Sequence, residues 1–282
     1  MIALDAVIND ALLLAPLPPA ASRLARIAQD RDADISEVVT VVRYDPELPS
    51  QLLAYANANR SPALTPLTHV RDAIVCLGIP KVLEIAVIEH LGTPMMEPIP
   101  AYGLQEGELW EHSTAAALAA EILGQISGDA VPPASILAAL LHDIGKLVLA
   151  PHLEPKATMA IARAVDERGM VYSQAELEVV GFTHALVGAR IAEIWNLDEQ
   201  VAAAIRRHHE LDTDHGPIAD AVRVGNLVAK TLGRGLGDEG LNLAADAAAY
   251  HRLGISRQDF EMVCAEVLAR FHEVDRIRPH AA

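Results

Sequence analysis

An all-α protein is the expectation, and three observations lead to it. Hydrophobic residues make up 51% of the 282-residue chain, enough for one large core or two modest ones. That content is mostly Ala, Leu, Val and Ile, with only 4% aromatics, a composition that suits stacked helices better than an aromatic-rich strand sandwich. Apolar positions also recur at helical spacing between Pro and Gly breaks along the chain.

The elements follow in order. Pro16, Pro18 and Pro19 stop a short first helix, and a helical pattern restarts over 22–29 with Leu24, Ala25, Ile27 and Ala28. Asp34 or Ser36 caps the next helix, ahead of Val38, Val39, Val41 and Val42, and Asp45-Pro46 breaks it. Helices are predicted over 47–58, 67–77 and 81–90, the last two flanking Gly78-Ile79-Pro80. Residues 1–100 therefore read as an N-terminal helical lobe, and 92–107, with Pro94, Pro98 and Pro100, as a linker. A second lobe, 101–282, carries predicted helices over 108–126, 133–149, 155–168, 173–178, 184–195, 198–209, 218–232 and 256–272. The stretch 236–241, with Gly233, Gly235, Gly237 and Gly240 around it, reads as a flexible loop. It is not a phosphate cradle, because no strand precedes it and no Gly-Lys-Ser/Thr follows.

Composition narrows the function. The 38 acidic and 22 basic side chains leave a formal charge of −16, which argues against broad nucleic-acid binding but leaves room for a buried cationic or metal site. Cys76 and Cys264 have no CxxC spacing and read as core residues, supporting neither a disulfide framework nor a thiolate zinc site. The apolar run at 11–15 follows Asp5 and Asp10 rather than a basic region, so no signal peptide is expected. No apolar run approaches the ~18 residues of a membrane span, and the expected location is the cytoplasm.

The chemistry concentrates at 139–147, Ala-Leu-Leu-His-Asp-Ile-Gly-Lys-Leu, where His142, Asp143 and Lys146 sit in an apolar helix. Such groups must be paired, hydrated or metal-bound. Of the 12 histidines, several share this kind of setting. His112 precedes the small-residue run 115–120, His184 opens a helix, and His208-His209 closes one. Imidazoles with one or two carboxylates suit iron, manganese or zinc, and Asp143 is the natural carboxylate to bridge two ions. Water activated there could attack phosphorus while Lys146 stabilises the growing negative charge, which suits phosphoester hydrolysis. Taken singly, each residue has a plainer reading. A lone helical His is commonly structural, Asp143 can pair with Lys146 three residues on, and His208 and His209 can answer the negative end of their helix. His69, His90, His152, His215, His251, His272 and His280 have no such company and read as surface or core.

Through His112, His142-Asp143 within His-Asp-Ile-Gly-Lys, and the later histidines, the chain resembles the HD superfamily of metal-dependent phosphohydrolases. Leu17-Pro18-Pro19, Asp45-Pro46-Glu47-Leu48, Leu53-Ala54-Tyr55-Ala56-Asn57, and Val70-Arg71-Asp72-Ala73-Ile74 with Leu77-Gly78 narrow the likeness to the HDOD family (HD-related output domain). The resemblance spans about 17–209. It implies a bacterial, all-helical signal-transduction protein acting through regulation or protein interaction, with signalling proteins as partners. A small phosphorylated ligand and a homodimer are compatible with it. It also implies a mono- or dinuclear divalent centre, iron or manganese, held by His112, His142, Asp143, His184, His208 and His209, with Asp143 and Lys146 as catalytic residues if the site turns over. The rival readings are a phosphohydrolase acting on a nucleotide or cyclic nucleotide, and a ligand sensor without turnover.

Related HD-GYP phosphodiesterases, which cleave cyclic di-GMP, add an acid one turn before the first His, where Glu108 stands. Two departures separate this chain from them. No Gly-Tyr-Pro follows the double His, and the last superfamily aspartate appears as Asn226, with Asp220 as the only nearby substitute. An amide is a poorer ligand than a carboxylate, so an ion near His112 and His142 is expected to bind more weakly.

Overall fold

The computed structural model describes residues 2–11, 17–28, 33–58, 60, 64–127, 130–211, 213–240 and 246–274, without the side chains of Ala11 and 272–274. Most of the apolar run at 11–15, Pro16, Leu241, His280 and the His272 side chain fall outside that description. The chain is all-α, and among the described residues the sole β contact is the isolated bridge between Ile99 and Leu104.

The N-terminal helices are α1 (Leu4–Ala11), α2 (Pro19–Ala28), α3 (Ile35–Arg43), α4 (Leu48–Ala58), α5 (Val70–Leu77) and α6 (Ile79–Met96). Caps explain two of their starts. The Asp34 carboxylate accepts the Ser36 amide at 2.8 Å, and Asp45 accepts the Glu47 and Leu48 amides at 3.0 and 2.9 Å. Helix α5 begins three residues later than its apolar pattern suggests. The Asn57 side-chain amide bonds both the N–H and the C=O of Leu67, which holds the approach to α5 out of helix. On α5, Ala73 and Ile74 face inward and Cys76 is exposed, which corrects the reading of that cysteine as core; Cys264 is half-buried.

The second set is α7 (Glu108–Ser127), α8 (Ala134–Leu141), α9 (Gly145–Leu149), α10 (Pro155–Arg168), α11 (Tyr172–Val180), α12 (His184–Ile194), α13 (Glu199–Arg207), α14 (Pro217–Thr231), α15 (Ala247–Leu253) and α16 (Arg257–Val274). Helix α7 packs against α8, α14 and α16, and α12 packs against α9 and α13. Small residues let α7 and α14 approach closely. Ala115, Ala116, Ala117, Ala119 and Ala120 are buried on α7, and a Cβ at Gly225 of α14 would lie 2.7 Å from the Ala116 carbonyl oxygen. Helix α6 reaches α7 and α8, and a buried ion cluster marks its contact with α7, where Lys81 pairs with Glu84 at 2.8 Å and with Glu121 at 2.5 Å.

Three sequence expectations change. The predicted helix over 133–149 is broken at 142–144, between α8 and α9. The segment 92–107 is not an open linker: α6 runs through Pro94 to Met96, and Ile99, Tyr102 and Leu104 are buried in a tight turn. Inside 236–241, Gly237–Glu239 forms a 3-10 turn rather than a loose loop. Helix α15, which the apolar pattern does not announce, has both of its own signals: Asp246 caps its start and Gly254 ends it in the left-handed region. The stretch Ala134–His152 is long and apolar enough to cross a membrane by length and hydropathy, but most of it is buried among the other helices.

Candidate metal centre

The break at 142–144 creates the centre. There the backbone bonds run three residues back, Ile144 N–H to Leu141 O at 3.0 Å and Lys146 N–H to Asp143 O at 3.0 Å. The Ala139 carbonyl then accepts the His142 Nδ1–H at 2.7 Å. His208 repeats the device just past the end of α13, donating Nδ1–H to Ile205 O at 2.7 Å. His112, on α7, donates Nδ1–H to Arg234 O at 2.9 Å. His184 opens α12 behind its Thr183 cap and gives Nδ1–H to Glu176 at 2.8 Å; the same oxygen accepts the His184 backbone N–H. The other Glu176 oxygen accepts the Tyr102 hydroxyl at 2.6 Å.

Four rings therefore spend their one neutral N–H at Nδ1, because a carbonyl or carboxylate can only accept. Each presents Nε2 to the centre, bare in the neutral ring; at His184, which Glu176 and Asp143 hold protonated, a metal ion would take the place of the Nε2 proton. These nitrogens converge on Asp143: Oδ2 lies 3.5 Å from His112 and 3.4 Å from His142, whereas Oδ1 lies 3.2 Å from His184 and 3.7 Å from His208. The Nε2 atoms of His112 and His142 are 3.2 Å apart, and those of His184 and His209 3.0 Å. In the His112–His142 pair both Nδ1 atoms are already donors, so two lone pairs face each other and repel unless a cation lies between them, whereas a shared proton can join His184 and His209. Two nitrogens each about 2.1 Å from one ion and about 90° apart are separated by about 3.0 Å, so the spacing fits neighbouring ligands of one metal. Asp143 Oδ1 and His208 Nε2 are buried without a hydrogen-bond partner, which points the same way.

The six residues singled out by sequence as ligands thus meet in two groups that share Asp143: His112, His142 and Asp143, and Asp143, His184, His208 and His209. Lys146 stands beside them, its Nζ 2.8 Å from Asp143 Oδ2 and 2.6 Å from Glu239, over the Tyr102 ring. Other expectations fail. Glu108 caps its own helix, accepting the Gln105 amide at 2.8 Å, and joins neither group. Asp220 cannot stand in for the missing aspartate, since both of its oxygens are bound by Arg252 and one also by Arg223. Asn226 is buried with Oδ1 unpartnered, beside a cavity of about 500 Å³ that reaches His208 and His209. A larger groove, about 1010 Å³ between α2 and the α12–α13 region, touches none of the clustered histidines. Glu176, Tyr102, Glu239 and Lys230 were not legible as site residues, because each arrives by tertiary contact from a segment with no local motif.

Electrostatics follow from burial and neighbours. Burial holds His112 down to about 4, with His142 and Lys146 adding to that effect against Asp143. Burial likewise lowers His142, and it lowers His208 and His209 well below the ordinary range. At His184 the same burial is outweighed by Glu176 and Asp143, which push the ring up to about 9. Burial opposes the charge on Asp143, but His142, Lys146 and His184 prevail and keep its carboxyl well below the usual range.

With metal chelated, the lowered rings have a clear sign. Below about 6.5 the unfolded chain takes up protons that the folded histidines refuse, so stability is lost as pH falls from there toward about 4. The raised His184 contributes fully below about 6.5 and loses that contribution only as pH rises through about 9, so it does not offset the acid loss. Urea midpoints of chelated protein should drop between about pH 7 and about pH 5; an unchanged midpoint would contradict the burial of neutral rings. Glu176→Gln should keep the fold yet weaken metal binding about 10- to 100-fold, because Glu176 orients His184 from behind. Competition with a fluorescent chelator measures this, and unchanged affinity would remove Glu176 from the site.

Fold and centre together define a class, that of all-helical proteins with a buried histidine–aspartate cluster able to hold metal. Comparison with known proteins gives the family: the model of the HDOD domain matches residues 14–211, and the chain belongs to that family. An HDOD protein of unknown function from Geobacter sulfurreducens aligns at TM-score 0.69 with 24% identity over 95% of both chains. A Marinobacter aquaeolei VT8 protein, provisionally designated a signal transduction protein, aligns at TM-score 0.73 with 24% identity, covering 98% of this chain and 64% of that one. A Shewanella amazonensis SB2B protein, provisionally designated a metal-dependent phosphohydrolase, aligns at TM-score 0.57 with 20% identity over 94% and 96%. These structural likenesses carry the fold alone. An uncharacterised protein of Treponema pallidum (strain Nichols) is 23% identical over 220 residues, and the chain spans only 42% of its length.

Proposed function

We propose that this HDOD protein is a bacterial cytoplasmic signalling protein built around a divalent metal centre, and that it acts by regulating partner signalling proteins. His112, His142, Asp143, His184, His208 and His209 would hold iron or manganese, with Asp143 shared between two positions. The observation that carries the reading is that the Nε2 atoms of His112, His142, His184 and His208 converge on one buried carboxylate, each of these four rings fixed from behind at Nδ1. A scaffold that only bound partners would have no use for buried imidazole nitrogens turned on one another and on a single carboxylate.

A second reading, a phosphohydrolase acting on a nucleotide or cyclic nucleotide, is favoured by one feature. The cavity of about 500 Å³ that opens onto His208 and His209 has the volume of a small-ligand site. A bound divalent ion would supply Lewis-acid polarisation of a phosphate ester and acidification of water. The chain's own part is to hold Asp143 ionised, to keep the His112, His142, His208 and His209 imidazoles neutral, and to place the Lys146 ammonium beside Asp143, where negative charge can be met. Metal-loaded protein is tested with bis-p-nitrophenyl phosphate beside Asp143→Ala. Wild-type turnover lost in the variant supports hydrolysis; equal rates remove it and leave the regulatory role.

A further inference from the structure

The glycine-rich segment after α14 delivers a carboxylate to the centre. Gly235 and Gly237 have positive φ, and a Cβ on Gly235 would press on the Glu108 carbonyl and lie 2.9 Å from His112 Cβ, while one on Gly237 would press on the Tyr102 carbonyl. The turn is therefore seated directly on α7 and on the 99–104 turn, and it ends in Glu239. The Glu239 side chain is 7% exposed; Oε1 lies 2.6 Å from Lys146 Nζ and Oε2 2.7 Å from Lys230 Nζ. One carboxylate thus bridges two ammonium groups brought from α9 and α14. Lys230 also lines the cavity that reaches His208 and His209, and the unpartnered Asn226 Oδ1 belongs to a residue of the same wall.

Two buried ammonium groups require an anion between them. Glu239 provides it from within the chain. A phosphoryl group offers the same pair of oxygens with more charge, and both anions cannot occupy the position together because like charges repel. We propose that Lys146 and Lys230 form an anion position whose resident occupant is the chain's own Glu239, and that a phosphate-bearing small molecule entering the cavity exchanges with that carboxylate. The inference rests on the reading of the centre as a site for phosphorylated ligands. It adds that the ligand must outcompete an internal carboxylate, which favours a phosphate dianion over singly charged anions.

The test is titration of inorganic phosphate into the metal-stripped full chain by calorimetry, at ionic strength held constant with chloride. Glu239→Gln keeps the shape and removes the competing charge, so its phosphate Kd should fall at least about tenfold below wild type. Adding Lys230→Gln to that variant should reverse the gain. Equal or weaker phosphate binding by Glu239→Gln would overturn the proposal and make Glu239 a structural counterion. If Glu239→Gln does not fold alone, circular dichroism is read with phosphate and with chloride. Recovery in phosphate only supports the exchange, and no recovery overturns it. Because the protein is metal-stripped, a failure to bind metal counts against the proposed function and not against this step. An unaltered Kd in a variant that still binds metal counts against this step alone.

Discussion

Asp143→Ala is expected to yield a protein that retains no divalent ion and is about 3 kcal/mol less stable in its metal-free form. The first effect follows because Asp143 belongs to both ligand groups, with one oxygen facing His112 and His142 and the other facing His184 and His208. The second follows because Lys146 and Asp143 are both almost fully buried and in contact at 2.8 Å, so deleting the acid leaves the ammonium to Glu239 alone. Asp143→Asn separates the two: it preserves the packing, and its metal-free stability should fall less while its metal content still disappears. Elemental analysis and urea unfolding of the three proteins check this, and a metal-replete Asp143→Ala protein would contradict it.

Gly145→Ala should be as damaging as any single methyl in the chain. A Cβ at 145 would overlap the His184 carbonyl oxygen and lie 2.6 Å from the Gly188 amide nitrogen, so both obstacles are backbone and neither can rotate away. Here α9 lies directly against α12, and the contact brings His142-Asp143 up to His184. Forcing the helices apart should cost at least about 3 kcal/mol and pull His184 off Asp143. The expected result is a strongly lowered unfolding temperature together with lost metal binding. Wild-type stability with intact metal content would show that the helices can separate without disturbing the site.

The all-helical class was legible because propensity and period agree over most of the chain, and α10 is found with the bounds its sequence suggests, Pro155–Arg168. The break before Gly145 was not legible. Residues 133–149 keep an apolar helical pattern across His142, Asp143 and Gly145, and a single Asp or Gly within such a pattern does not by itself locate a break; the tightened turn at 142–144 goes with the packing of α12 against Gly145 and with the His142 ring bonding the Ala139 carbonyl. The gathering of the five marked histidines around Asp143 was readable from residue type and helix position. The groups behind them were not. Glu176 follows a weakly patterned helix start, Tyr102 lies in a proline-rich stretch that reads as linker, and Glu239 lies in a glycine-rich stretch that reads as loop. Each acts through a partner more than seventy residues away or through a turn that packing alone defines. Asp220 illustrates the converse, since its sequence position suited a ligand role until Arg252 and Arg223 were found to hold it.

Whether the buried cluster holds metal is read most directly from the metal content of the purified full chain after growth in medium rich in iron and manganese, by plasma mass spectrometry. At least one iron or manganese per folded chain is expected, lost on substitution of Asp143. A folded protein that emerges without metal, and takes up none when either ion is titrated back, would contradict it.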